Sequence, residues 1–250
     1  MMDRKQKLAR AFGVALLAAA GAAMTWQLYT VYFRGMRHVA SGLLLVSAVC
    51  LPLIFGTALL ARSFDGQALR RRTVRTVLAV LFGDYLAVLL GVLIVSRIEF
   101  AHFAENAAYY REHFELMTNF HPLETVLLYL RALKYNYIGL EIPISNLIGN
   151  MLLFMPMAVF LPCLFRTMQK LWVFMLSMAV LLVAIEALQF LLSCGSCDID
   201  DVLLNFAGTM IVYGLTKIPA VKRLLGRLYL LPEPKKAKQE APEQPAATAE

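Results

Sequence analysis

The chain has 250 residues, of which 60% are hydrophobic and 16% charged, and its mean hydropathy is positive. A soluble domain of this length has no need of so much apolar surface, so the composition excludes an ordinary soluble protein and points to the membrane. The net charge of +7 does not signal a nucleic-acid partner, because the basic residues sit between apolar runs and no groove-reading or base-stacking motif accompanies them.

A helix that crosses the hydrocarbon needs about 20 mostly apolar residues. Such runs occur at about 11–33, 38–61, 74–96, 145–165, 171–192 and 201–218, which predicts an all-α, polytopic transmembrane helical bundle of about six spans. The first run follows Arg4, Lys5, Lys7 and Arg10, as a secretory signal peptide would. It continues past Trp26 to Phe33, too long for a cleaved segment, and reads as a span. In the second run, Leu43 to Leu60 carries only Ser47 and Thr57 as polar members, so it is apolar all round and suited to lipid. The third carries Asp84 after Gly83, read as a protonated acid hydrogen-bonded across helices.

Residues 97–144 are too polar to cross and too long for a simple connection. Phe100, Phe103, Tyr109, Tyr110 and Phe114 suit the headgroup layer, and Val126, Leu127, Leu130 and Leu133 recur at helical spacing after Pro122, which predicts interfacial helices. Lys and Arg number four in residues 1–10, five in 62–75, two in 166–170 and seven in 217–238, against six elsewhere. The positive-inside rule then predicts a multi-pass protein of the cell membrane with both termini cytoplasmic, which places the 97–144 segment outside. After Pro219, residues 221–231 alternate Lys222, Arg223 and Arg227 with leucines, as in a helix lying on the inner leaflet. Residues 232–250 hold no aromatic side chain and read as a disordered cytoplasmic tail.

Buried acids are what the last three spans must explain, since a charge in mid-span costs about 3 kcal/mol on insertion scales. Glu186 and Gln189 lie three residues apart on one helix face, just before the fifth span ends. The sixth span opens with Asp198, Asp200 and Asp201, and Asp198, Asp201, Asn205 and Gly208 share a face; one of the three acids suits a helix cap. Asn146 and Asn150 lie four apart near the outer end of the fourth span, ahead of Pro156, a kink site. Two readings stay open: these groups tie three helices together, or they line an outward polar pocket. Uncompensated acids favour the pocket.

Cys50 and Cys163 sit inside apolar runs, whereas Cys194 and Cys197 form a C-x-x-C that reads as a disulfide, half a metal site or two free thiols. No second C-x-x-C or nearby His completes a zinc set, so no metal is expected. No Gly-rich nucleotide turn occurs, so no cofactor is expected, and no nucleophile with an oriented base marks a catalytic residue.

Three segments, Asn146-Leu-Ile-Gly-Asn150-Met-Leu-Leu-Phe154-Met-Pro156, Glu186-Ala-Leu-Gln189 and Asp198-Ile-Asp-Asp201-Val-Leu-Leu-Asn205-Phe-Ala-Gly208, together resemble the VanZ-like membrane family. Asn119-Phe-His-Pro122-Leu-Glu-Thr125 is similar to a segment that such proteins carry earlier, so the resemblance covers about 119–214 and has its core at 145–218. The first 96 residues, with three spans, read as an extension to that core. Where the family often has an Arg before the Asp-x-x-Asp turn, this chain reads Ser193-Cys194-Gly195-Ser196-Cys197, which leaves Arg131 or Lys134 as candidate substitutes.

The family takes its name from a protein associated with resistance to the lipoglycopeptide teicoplanin. The resemblance therefore implies a site for membrane lipids, or for a lipoglycopeptide or cell-wall precursor. A binding protein is the expectation. An enzyme acting on an envelope lipid or glycan, with Glu186 or Asp201 as acid or base, is one alternative, and a transporter or scramblase is the other.

Overall fold

The computed structural model describes residues 3–34, 39–135, 139 and 141–232, with side chains in the second helix described from residue 47 onward. The tail expected at 232–250 lies, apart from Pro232, outside the described residues. Helix α1 (Arg4–Tyr29) runs into a π-helical turn at Thr30–Arg34, and α2 (Val39–Arg62) returns along it. They meet at glycines: a Cβ on Gly13 would lie 2.9 Å from the Leu60 amide nitrogen, and one on Gly56 would lie 3.0 Å from the Gly13 carbonyl oxygen. Between lipid-immersed helices there is no hydrophobic drive to associate, so close backbone approach supplies the contact through dispersion.

Helix α3 (Gln67–Leu90) continues as a second π-helical turn, Gly91–Val95. The two π turns touch, with Gly91 so near Val31 that a Cβ there would sit 2.4 Å from its Cγ1. Asp84 departs from its expected cross-helix bond, because its Oδ1 is buried without a hydrogen-bond partner among the described residues. The outer segment folds as α4 (Phe103–Glu112), α5 (Phe114–Met117) and α6 (Glu124–Tyr135).

The fourth apolar run is broken into α7 (Glu141–Leu153) and α8 (Met157–Leu164) at Pro156. Proline lacks an N–H, and the turn it imposes frees the Leu153 carbonyl. The Tyr85 hydroxyl of α3 donates to that oxygen at 2.8 Å, so the break becomes an interhelical tie. At the other end of α8, Arg75 donates to the carbonyls of Cys163 and Leu164 at 3.3 and 3.1 Å, as cations do at helix C-termini.

Helix α9 (Leu171–Leu191) stops in a reversal at Ser193, whose φ is 52°; the Ser193 and Cys194 amides donate back to the carbonyls of Phe190 and Gln189. The last long helix, α10 (Ile199–Lys217), turns through 77° into α11 (Pro219–Arg227). Leu225 of α11 packs against the buried Leu78, Phe160 and Cys163, so α11 folds under the bundle. Four segments are long and apolar enough to cross a membrane, Arg4–Phe33, Gln67–Val95, Glu141–Leu164 and Leu171–Leu191, and the bent α10–α11 pair counts as a fifth. With α2 counted only as a shorter apolar helix over Ser47–Arg62, the molecule is an all-α helical membrane bundle with four to five candidate spans among the described residues, against the expectation of about six. Its main core gathers Phe154, Met157, Phe174, Met178, Leu182 and Tyr213.

Candidate functional site

The chain reversal at Ser193 brings residues 197–198 beside residues 118–119. Strands β1 (Thr118–Asn119) and β2 (Cys197–Asp198) pair in parallel, Thr118 with Cys197 and Asn119 with Asp198. Asp198 is the N-cap of α10, accepting from the Asp200 amide at 2.9 Å, and it also accepts from Asn119 Nδ2 at 3.0 Å and Thr125 Oγ1 at 2.6 Å. Asp200 is fully buried and accepts from the Leu123 and Val126 amides, so it caps α6 from another helix. Leu123 is held there at φ 69°, a backbone conformation that few branched residues take unaided. Two aspartates thus pin the outer segment over the ends of α9 and α10.

Beneath that lid lies a cavity of 190 Å³, room for about six waters at roughly 30 Å³ each. All seven residues singled out from the sequence line it: Asn146, Asn150, Glu186, Gln189, Asp198, Asp201 and Asn205. Asn150 Nδ2 donates to Asp201 Oδ1, and Asn146 Nδ2 donates to the Tyr129 hydroxyl at 3.0 Å. Glu186 Oε2 accepts a long bond, 3.4 Å, from the Asp198 amide. Asn205 Nδ2 donates to the Asp201 carbonyl at 2.8 Å. Gln189 Nε2 reaches across to the Leu93 carbonyl at 3.0 Å. That carbonyl is free because the π turn shifts its neighbours, the Arg97 amide turning instead to Ile94 at 3.0 Å.

Four lining groups were not anticipated as part of the cluster: Arg97, Thr125, Tyr129 and Ser196. Arg97, just beyond α3's π turn, brings a basic side chain to the cavity opposite Gly195, where the segment before the Asp-x-x-Asp turn has none. The substitutes suggested by sequence, Arg131 and Lys134, do not line the cavity, and the Lys134 ammonium lies over the Tyr135 ring at 5.2 Å. The anticipated face of α10 continues below the cavity at Gly208, where a Cβ would meet the Met151 carbonyl oxygen at 2.0 Å. Only glycine allows α7 and α10 to touch there.

The acids also act on their surroundings. Burial, then the Asp201 and Asp198 carboxylates, push the Tyr129 phenol up from its ordinary value. Cys194 and Cys197 are both free thiols in this structure. Burial raises the Cys197 thiol as well, followed by the negative fields of Glu186 and Asp198, so the C-x-x-C holds its protons where a reactive pair would release them.

A second, apolar cavity of 380 Å³ lies between the Phe114–Phe120 segment and α9, and it shares Glu186, Asp198 and Val202 with the polar one. No curated protein and no solved structure matches the chain. A family model described as VanZ/LLP1 does match, over residues 82–220. Its span begins inside α3 and takes in Arg97, the whole lid and every residue of the polar cavity. More than half of the sequence is covered, with the site inside it, and the chain belongs to the VanZ/LLP1 family.

Proposed function

We propose that this protein binds a lipid-linked or lipid-bearing molecule of the cell envelope in its polar cavity and alters that molecule's availability, conferring resistance to teicoplanin-type glycopeptides. The observation that carries the reading is the cavity itself. Polar side chains serving only to tie helices would interdigitate, whereas here amides and acids from α7, α9 and α10 stand around empty volume. At 190 Å³, the space falls below the roughly 300–1,000 Å³ of drug-sized pockets. It suits one polar group of a larger amphiphile.

In this reading both termini are cytoplasmic and the cavity opens outward, where such molecules are exposed. The clustering of 18 of the 24 Lys and Arg residues in the segments assigned inside supports that orientation. Residues 97–144 lie on the outer surface, and α11 lies on the inner leaflet with Lys222, Arg223 and Arg227 toward the headgroups.

The test is drug susceptibility in cells expressing the wild type, Glu186→Gln, Asp201→Asn or Asn150→Ala at equal membrane abundance. Each substitution is expected to abolish protection against a lipoglycopeptide. Protection that survives all three would overturn the reading.

A further inference from the structure

The polar cavity is short of donors. Asn205 is 4% exposed and lines the cavity, and its Oδ1 is buried with no hydrogen-bond partner among the described residues. Its orientation is fixed, because Nδ2 is committed to the Asp201 carbonyl. A buried orphan acceptor is destabilising, a penalty that a donor from a ligand removes. Glu186 and Asp201 add further acceptor oxygens on the same wall.

The acceptors narrow the donor. Three acids, Glu186, Asp198 and Asp201, line the cavity with one basic side chain, Arg97. A sugar hydroxyl would satisfy Asn205 and leave the acid oxygens; an ammonium carries three donors, enough for Asn205 Oδ1 and the oxygens of Glu186 and Asp201 together. No group of three His, Cys, Asp or Glu among the described residues is placed to hold a metal ion, so convergent metal coordination is not what these acids provide.

Arg97 points to a second charge on the ligand, of opposite sign. It is exposed at the cavity wall, and its guanidinium makes no hydrogen bond or ion pair among the described residues. The apolar cavity adjoins the polar one at Glu186, Asp198 and Val202 and is walled by Phe114, Phe120, Val183, Ala187, Phe190 and Leu191. Phe190 also carries the ring of Tyr110 at 5.9 Å, beside Arg97.

We infer that the two cavities form one site for a zwitterionic, amine-bearing lipid. Its ammonium meets Asp201, Glu186 and Asn205 Oδ1, its anionic linkage meets Arg97, and one hydrocarbon chain lies in the apolar cavity. The inference rests on the binding function proposed above and names the chemistry of the ligand.

The test uses the full chain, purified in detergent and stripped of lipid, titrated with short-chain phosphatidylethanolamine, phosphatidylcholine, phosphatidylglycerol and a monoglucosyl diacylglycerol. Phosphatidylethanolamine is expected to bind at least about tenfold more tightly than the other three, since methylation removes the N–H donors and the others lack the cation. Asp201→Asn and Asn205→Leu are expected to erase that preference. Ala187→Trp is expected to abolish the gain in affinity from lengthening the chain, and Val183→Trp repeats the measurement at another wall of the cavity.

Equal or tighter binding of the glycerol or glucosyl lipid overturns the ammonium assignment while leaving an envelope-amphiphile site standing. Unchanged chain-length dependence in both tryptophan variants overturns the chain assignment. Absence of binding by all four lipids overturns this inference, whereas the drug-susceptibility result decides the parent reading separately.

Discussion

Helices α1 and α2 meet backbone to backbone at Gly13 and Gly56, and their shared core is the small apolar set Ala20, Val49 and Leu53. Helices α7, α9 and α10 use two devices at two depths. At Gly208 they too touch through backbone, against Met151. Further toward the lid, they stand apart around a cavity lined by amides and acids. Close approach through small residues is sufficient to join helices in lipid, as the N-terminal hairpin demonstrates. The polar level of the C-terminal unit is therefore more than that join requires, and the family match covers that unit and leaves the hairpin out.

The sharpest way to break this comparison is to overfill its two contact points. Gly208→Ala would drive a methyl into the Met151 backbone, and overpacking of that kind costs about 3 kcal/mol or more where the obstacle cannot swing away. Loss of a folded, monodisperse protein is expected, read by thermal unfolding in detergent. Gly214→Ala, with nothing within 4 Å, is the control and should be near neutral.

Asp200→Ala comes next. It leaves the Leu123 and Val126 amides without their acceptor, at about 1–3 kcal/mol each. Faster proteolysis within 119–126 is expected, with the hairpin unaffected. Gly56→Ala should cost about 1–2 kcal/mol and loosen α1 from α2 while leaving ligand retention at the cavity intact. Retention lost with Gly56→Ala would mean that the two regions are not separable.

The smallest effect concerns a proton. Because burial and the Glu186 and Asp198 carboxylates raise the Cys197 thiol, less thiolate is present at neutral pH than in an exposed cysteine. Alkylation should be slow there and rise only at alkaline pH. Glu186→Gln removes the negative field of that acid, lowers the thiol toward its ordinary value and should speed alkylation at a fixed alkaline pH. An unchanged rate would place the Glu186 charge away from the cavity wall.

Much of this was legible in the sequence, for identifiable reasons. The helical membrane class follows from bulk hydropathy, and the face of Asp198, Asp201 and Asn205 follows from their three-and-four spacing on one helix. Long-range partners were not legible. Arg97 lies far along the chain from Glu186, and the one hint was its place directly after an apolar span, where a cation can turn back toward a buried acid. Of the acids at the start of α10, Asp198 takes the cap that the sequence expected there, whereas the partners of Asp200 are the backbone amides of Leu123 and Val126, which leave no mark in residue type. The π turns at Thr30–Arg34 and Gly91–Val95 depend on contact between α1 and α3, information that no local window holds. Asp84 marks the opposite limit: the sequence demanded a partner, and the fold leaves its Oδ1 without one among the described residues.

The central claim is that the polar level holds a ligand as well as helices, and the lipids retained by the purified protein test it most directly. Mass spectrometry of extracts from wild type, Gly56→Ala and Glu186→Gln, each confirmed folded, should find the same amphiphile in stoichiometric amount with the first two and its loss from the third. Equal retention by Glu186→Gln would contradict the account and reduce the cluster to interhelical packing.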